Sequence, residues 1–158
     1  MKILLAVDGS EYSYAAAEAV ASRPWPANSE VKVFTAIEPF TPYMTEMWAT
    51  SNELWEDIEK ASKAQATKAI HGAIERLSMA QDKTLKVSTE IVEGNAQSAI
   101  LDEAEKWGAD LIMLGSHGYT GLKRLLLGSI SQNVASHAHC SVEIVRSPET
   151  IKTDETRT

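Results

Sequence analysis

The chain has 158 residues, of which 44% are hydrophobic and 23% charged, a composition typical of one globular domain with its own core. Its formal net charge of −7 argues against nucleic acid and anionic membranes as partners, and its single cysteine, Cys140, cannot form an internal disulfide. The longest apolar runs fall short of the roughly 18 residues of a membrane span, and the first run is too short for a secretion signal. We therefore expect a cytoplasmic protein.

The first part of the chain alternates predicted strands and helices. An apolar run at 3–7 predicts a strand covered on both faces, and Ser10 is placed to cap a helix over about 11–22. A β-branched run at 31–37 predicts the second strand. The irregular stretch 38–50 contains two prolines and several large apolar residues. We interpret it as a loop over the sheet edge, with a lid or a partner surface as the alternative.

The rest of the chain continues this alternation. Helical spacing, strand patterns and caps predict a helix over 52–79, a strand over 85–91, a helix capped by Asn95 and ending at Gly108, a strand over 110–114, a helix over 128–136 and a strand over 142–145. The last residues, 147–158, are polar and predict a disordered tail. Residues 1–146 are then expected to form one domain.

Five strands alternating with four helices predict an α/β fold of three layers, with a parallel sheet between two layers of helices. The strands at 3–7 and 110–114 are the most uniformly apolar and belong at the centre. The strand at 85–91 alternates apolar and polar residues and belongs at an edge. Strand order 3-2-1-4-5 satisfies both conditions. It places the topological switch point, where such sheets bind ligands, between the first and fourth strands.

A glycine loop follows the fourth strand at this switch point. Gly115 and Gly118 come directly after the strand, and Gly128 and Ser129 open the next helix. Glycines let a backbone approach a phosphate, and the first N–H groups of a helix have no partner within it. Residues 115–129 also carry two bases and no acid, although these bases could simply balance nearby acids. The loop therefore predicts a site for an anion.

This loop, GSHGYTGLKRLLLGS over residues 115–129, resembles the motif of the nucleotide-binding branch of the universal stress protein family. That motif is Gly, two residues, Gly, nine residues, Gly, then Ser or Thr. The resemblance extends from the opening ILLAVDGSEYS to the closing GSISQNVASHAHCSVEIV, over residues 2–146. It implies a Rossmann-like fold, similar to that of the adenine nucleotide α-hydrolases. It also implies ATP or another adenine nucleotide as ligand, with Mg²⁺ or Mn²⁺ held mainly by the phosphates.

The resemblance also implies which residues contact the nucleotide, and it implies neither a catalytic side chain nor a protein metal ligand. Asp8 would lie near the ribose, and the backbone of Ala36 would meet the adenine. His117 as a general acid or base, and the histidines near Cys140 as a metal cluster, are the less favoured interpretations. The implied nucleotide-binding residues are Ala6, Val7, Asp8, Ala36, Leu114, Gly115, Ser116, His117, Gly118, Gly128, Ser129 and Ile130.

From this resemblance we expect an ATP-binding regulatory or signalling module of the stress response, acting as a homodimer. The family commonly pairs its last strand across two subunits, here the strand from Val142 to Val145. The sequence departs from the family there, with Ser141 in place of a proline and Glu143 in place of an apolar residue. A slow ATPase or phosphotransferase and a cAMP-binding module are the alternatives. The missing Walker lysine pattern argues against fast hydrolysis.

Overall fold

The computed structural model describes residues 1–39, 52–79, 85–117 and 127–146. Strands and helices alternate along these ranges: β1 (Lys2–Ala6), α1 (Glu11–Ala21), β2 (Glu30–Ile37), α2 (Asn52–Ser78), β3 (Lys86–Glu93), α3 (Ala96–Trp107), β4 (Leu111–Gly115), α4 (Ser129–His137) and β5 (Ser141–Val145). Most of the loop predicted at 38–50, and the tail predicted at 147–158, lie outside the described residues. In the described parts of the chain, no helix is both long and apolar enough to cross a membrane.

The strands form one parallel sheet in the order β3-β2-β1-β4-β5, which confirms the predicted topology. The central strand β1 pairs on both sides, so that Leu5 lies opposite Val33 on β2 and Met113 on β4. One apolar cluster packs α1 and α2 against one face of the sheet, and a second packs α3 and α4 against the other. The predicted three layers are therefore present.

The capping residues predicted for α1 and α3 are found at the ends of these helices. Ser10 accepts a hydrogen bond from the Ser13 N–H at 3.2 Å and begins α1. Asn95 caps α3 in the same way, and Gly108 ends that helix with a left-handed φ of 69° that favours glycine. Because α1 and α3 are fixed at the carboxyl end of the sheet, their N-termini help to form the edge where the loop after β4 begins.

The edge strand β3 shows where the apolar pattern misleads. Its place at the edge is confirmed, but Val87 and Ile91 on its apolar side are 43% and 42% exposed. The other side contacts the core through Val92 and carries Glu90, which pairs with Lys32. The helix α2 packs mainly on α1 and β2, so it leaves much of the apolar face of β3 uncovered.

A buried ion-pair network joins the sheet to α3. The Lys32 ammonium group, on β2, donates to Glu103 on α3 at 2.5 Å and to Glu90 on β3 at 2.9 Å. The Lys32 and Glu103 side chains are only 14% and 6% exposed. The same ammonium lies 4.9 Å from the centre of the Trp107 ring. Buried charges of this kind persist only when they are paired, and this network ties both α3 and β3 to β2.

Replacing Lys32 by methionine should lower the free energy of unfolding by about 3 kcal/mol, because Glu103 then depends on the exposed Lys106 for its counter-charge. Urea denaturation at pH 7 measures this loss. The control is Lys63→Met, which removes an exposed partner of Glu59 on α2 and should leave the midpoint unchanged. Equal effects of the two substitutions would contradict a special role for Lys32.

The pH dependence of unfolding gives a second readout of the same substitution. Burial alone would raise the pKa of Glu103, but hydrogen bonds and charges from Lys32 and Lys106 outweigh it and hold this pKa below its ordinary value of 4.5. A carboxylate whose pKa is lowered by folding stabilises the protein above its unfolded pKa, and that contribution disappears as the pH falls through the folded value. Stability should therefore decline below about pH 4.5, and less steeply in Lys32→Met.

Candidate functional site

The structure describes the N-termini of α1, α3 and α4 at the carboxyl edge of the sheet, and those of α1 and α3 are closed by side chains. Ser10 closes α1. At α3, Asn95 accepts from two backbone N–H groups, and the Glu38 carboxylate accepts from the Ala96 N–H at 3.2 Å. The N-cap of α4 is Gly128, which has no side chain to offer. Because the first N–H groups of a helix attract anions, the start of α4 is the open anion site among the three.

The turn after β1 holds Asp8 in a defined orientation. Its Oδ1 atom accepts from the Ser10 backbone N–H at 3.0 Å and from the Ser10 hydroxyl at 2.6 Å. Gly9 between them has a φ of +85°, which favours glycine and turns the chain into α1. The half-buried Asp8 carboxylate therefore lies fixed at the carboxyl end of β1, beside the end of β4.

Gly115 at the end of β4 is required by packing. A Cβ atom at this position would lie 2.5 Å from the Tyr12 carbonyl carbon and 2.7 Å from its oxygen, both in the first turn of α1. The next residue, Ser116, is buried and donates its backbone N–H to the Val145 carbonyl at 2.8 Å. The end of β4 is therefore held between the start of α1 and the end of β5.

The loop after β4 is closed at its base by hydrogen bonds to one carbonyl. The Ser116 oxygen accepts from the Gly128 N–H at 2.8 Å and from the Ser131 hydroxyl at 3.0 Å. A Cβ atom at Gly128 would lie 3.3 Å from that oxygen, so a larger residue would crowd this closure. Ser131 is not among the residues predicted from the sequence. Its i, i+3 spacing to Val134, which marks a buried helix face, was the available signal.

His117 lies against α1. Its ring centre is 5.2 Å from that of Tyr12, and its Nδ1 atom is 3.1 Å from the Ser116 hydroxyl. Its Nε2 atom is buried and has no hydrogen-bond partner within the described chain. The half-buried imidazole therefore packs against the first turn of α1 and stays next to the sheet edge.

The structure brings most of the predicted nucleotide-binding residues to one edge. Ala6 lies opposite Leu114 at the ends of β1 and β4, and the Val7 N–H donates to the Phe34 carbonyl of β2. Ala36 lies two residues further along β2. The side chains of Ala6, Val7 and Leu114 are buried in the two cores, so these residues can offer a ligand mainly their backbone.

The start of α4 completes this edge. Ser129 is exposed, whereas Ile130 packs partly against the core on the α3 and α4 face. Gly118 lies outside the described residues, so its predicted contact with phosphate stays a prediction. Together these positions can hold an anion by backbone N–H groups and orient a hydroxyl-bearing ligand by the Asp8 carboxylate.

The histidines near Cys140 belong to the end of α4. His137 is the last residue of that helix, and its Nδ1 atom lies 2.8 Å from the Asn133 carbonyl. Burial raises the pKa of the Cys140 thiol, and the nearby charge of Asp110 adds to this shift, which disfavours the thiolate that would bind a metal. In the residues that the structure covers, no group of three or more His, Cys, Asp or Glu is placed to hold a metal ion.

A five-stranded parallel sheet in this order, covered by helices on both faces, defines the class of Rossmann-like α/β domains. The model of the universal stress protein family matches residues 1–146, and the chain belongs to this family. Universal stress protein MJ0531 of Methanocaldococcus jannaschii is 33% identical over 148 residues, which cover 94% of this chain and 83% of that protein. Universal stress protein YxiE of Bacillus subtilis is 29% identical, with 92% and 98% covered. The solved structure of UspA from Lactobacillus plantarum matches with a TM-score of 0.73 at 25% identity, over 92% of this chain and 97% of that one.

Replacing Gly115 by alanine should destabilise the fold by about 2 kcal/mol, because backbone atoms of Tyr12 occupy the space of the new methyl group. Thermal or urea unfolding measures the change. Gly108→Ala is the comparison, since that position has open space and the strain comes from its φ of 69° alone. A Gly115→Ala variant as stable as the wild type would contradict the close packing of α1 on β4.

Proposed function

We propose that this universal stress protein is a cytoplasmic regulatory module that binds an adenine nucleotide, with ATP as the preferred ligand, at the carboxyl edge between β1 and β4. The observation that carries the proposal is the start of α4. Its N-cap, Gly128, lacks a side chain and is held against Ser116, at the closed base of the glycine loop. A helix N-terminus of this kind suits several phosphate charges, whereas α1 and α3 already have side-chain caps.

Solved proteins of the same fold support an adenine nucleotide as the ligand class. A universal stress protein family protein of Arabidopsis thaliana with AMP bound matches with a TM-score of 0.64 at 17% identity, over 100% of this chain and 96% of that one. A universal stress protein in complex with cAMP matches with a TM-score of 0.54 at 21% identity, over 92% and 96%. At these identities the likeness is one of fold, so the residue roles proposed here depend on this chain's own geometry.

Each side of the edge would recognise a different part of the nucleotide. The phosphates would lie at the start of α4, where the Ser129 hydroxyl is exposed and can donate to a phosphate oxygen. The Asp8 carboxylate, oriented by Ser10, would accept a hydrogen bond from a ribose hydroxyl. The backbone of Ala36 would meet the adenine. Mg²⁺ or Mn²⁺ would be held chiefly by phosphate oxygens and would offset their charge.

We infer a binding function in preference to catalysis. Hydrolysis of ATP needs a base placed to act on water, or a group that stabilises the transferred phosphoryl charge. Asp8 is already held by Ser10, and the Nε2 atom of His117 is buried while its ring packs on Tyr12. These arrangements favour a ligand that is bound and sensed, with hydrolysis slow at most.

The ligand and the reaction can be tested directly. Mass spectrometry of the small molecules released from the purified protein should identify an adenine nucleotide, and calorimetric titration should rank ATP above AMP and cAMP. Tighter binding of cAMP than of ATP would replace the proposed ligand. Single-turnover incubation with labelled ATP tests the enzyme alternative. Turnover near about 1 s⁻¹, at the low end of typical enzymes, would contradict a binding module.

Gly128→Ala should weaken ATP binding by at least about tenfold while the fold persists, because the added methyl crowds the base of the loop at 3.3 Å without meeting rigid atoms closer than that. Calorimetry gives the affinity and thermal unfolding the stability. Gly108→Ala is the matched control: it strains a left-handed position at the far end of α3 and should lose stability without losing ATP. Normal ATP binding by Gly128→Ala would show that the phosphate site is misplaced.

We further propose a homodimer in which the β5 edges of two chains pair about a two-fold axis. β5 forms an edge of the sheet, and such edges need a cover. Glu143 lies at its centre and would face or neighbour its own copy across the axis. Arg23 donates to both Glu143 oxygens, at 2.6 and 2.5 Å, and this hydrogen-bonded pair lowers the pKa of Glu143. The pair thus balances a charge that would otherwise oppose pairing.

Arg23→Ala should weaken this dimer by about fivefold, because like charges facing each other across two strands cost roughly 1 kcal/mol. Sedimentation equilibrium at several protein concentrations measures the dissociation constant. The double variant Arg23→Ala/Glu143→Val should restore dimerisation, since it removes the charge together with its partner. A monomer at all concentrations, or an unchanged dissociation constant in Arg23→Ala, would contradict this interface and leave the nucleotide site unaffected.

A further inference from the structure

The position of the open helix N-terminus depends on one buried hydroxyl group. We infer that Ser131 is a positioning residue for the phosphate site: its hydroxyl ties the first turn of α4 to the Ser116 carbonyl, directly after β4, and so sets where the N–H groups of the helix point. This inference rests on the proposed function for its ligand, and it deepens that function by assigning a residue that the sequence motif does not contain.

The geometry gives Ser131 two acceptors for one proton. The side chain is 2% exposed, and its oxygen lies 3.0 Å from the Ser116 carbonyl and 3.0 Å from the Gly128 carbonyl. The second contact is an ordinary bond within the first turn of a helix. The first contact reaches Ser116, on the other side of the loop in sequence. The carbonyl oxygen of Ser116 also accepts a hydrogen bond from the Gly128 N–H. Two donors from the start of α4 therefore converge on one acceptor.

That acceptor directly follows β4 and is tied to the sheet. Ser116 is buried, and its own N–H donates to Val145 of β5 at 2.8 Å. The hydroxyl bond of Ser131 thus connects the start of α4 to a carbonyl that is itself tied to β5, and it holds Ser116 and Gly128 together. Recognition of a phosphate by backbone N–H groups depends on their placement to within about half an ångström, which a frayed first turn would lose.

The same helix offers a matched control. Ser136 also donates its hydroxyl to a carbonyl, that of Gln132 at 2.9 Å, but it is exposed and its bond stays within α4. Ser131→Ala and Ser136→Ala therefore remove the same atom from the same helix. Only Ser131→Ala also removes a bond from α4 to Ser116; the bond lost in Ser136→Ala lies within the helix.

The test compares ATP with adenosine, which lacks phosphates. Ser131→Ala should weaken ATP binding by about tenfold, in line with the loss of one buried hydrogen bond, and change adenosine binding less than about twofold. Ser136→Ala should change neither affinity. Without ligand, hydrogen exchange at the Gly128 amide should be faster in Ser131→Ala than in the wild type, because its partner is less firmly held.

Three results would overturn the inference: parallel losses of ATP and adenosine affinity, equal behaviour of the two variants, or unchanged exchange at Gly128. A general loss of stability would give the first of these, so the ratio of the two affinities separates positioning from folding. A wild-type protein that binds no ATP would contradict the proposed function. The exchange rate at Gly128, measured without ligand, would still decide whether Ser131 holds the start of α4.

Discussion

Direct contact between the backbone of Gly115 and the first turn of α1 fixes the geometry of the carboxyl edge. Atoms of Tyr12 lie where a side chain at Gly115 would begin, so β4 and α1 meet without an intervening side chain. This contact sets the distance between the turn that carries Asp8 and the start of the loop after β4. Because Ser116 follows at once and is bonded to β5, the same contact also places the carbonyl on which the start of α4 depends. The glycine is thus first a packing residue, and its value to a ligand follows from what it positions.

Hydropathy was sufficient to predict which strands are central and that β3 lies at an edge, because the requirement for cover on both faces acts on whole strands. The runs at 3–7 and 110–114 could only be central, and the caps Ser10 and Asn95 are local enough to be recognised from the sequence. The exposure of the apolar face of β3 could not be predicted. Alternating residues show that one side of a strand is apolar, but they do not show whether a helix covers that side. The extent of α2 over the sheet decides that point, and it is a tertiary property.

The same distinction applies to the site. The spacing from Gly115 to Ser129 predicts a loop that an anion can approach, because such an approach restricts which residues can stand there. The roles of Ser131 and of the buried pair of Lys32 with Glu103 were not predicted. A serine in a helix or a lysine in a strand carries no sequence signal for a partner that is distant along the chain. The partner of Ser131 lies 15 residues away and that of Lys32 lies 71 residues away. Pairings over such separations are set by the fold and cannot be inferred from spacing.

The carboxyl edge also shows how an acidic chain can attract an anionic ligand. Two acids near the edge are engaged locally: Glu38 accepts from the first N–H of α3, and Asp8 accepts from Ser10 at the start of α1. Both carboxylates thereby occupy helix N-termini and neutralise part of the positive potential there. At α4 the corresponding position is Gly128, and the residues that follow it in the first turn carry no acid. The net charge of −7 therefore opposes a phosphate at long range, where salt screens it. The local field at α4 favours a phosphate at contact, so binding would select for a group that fits the helix N-terminus and not for negative charge as such.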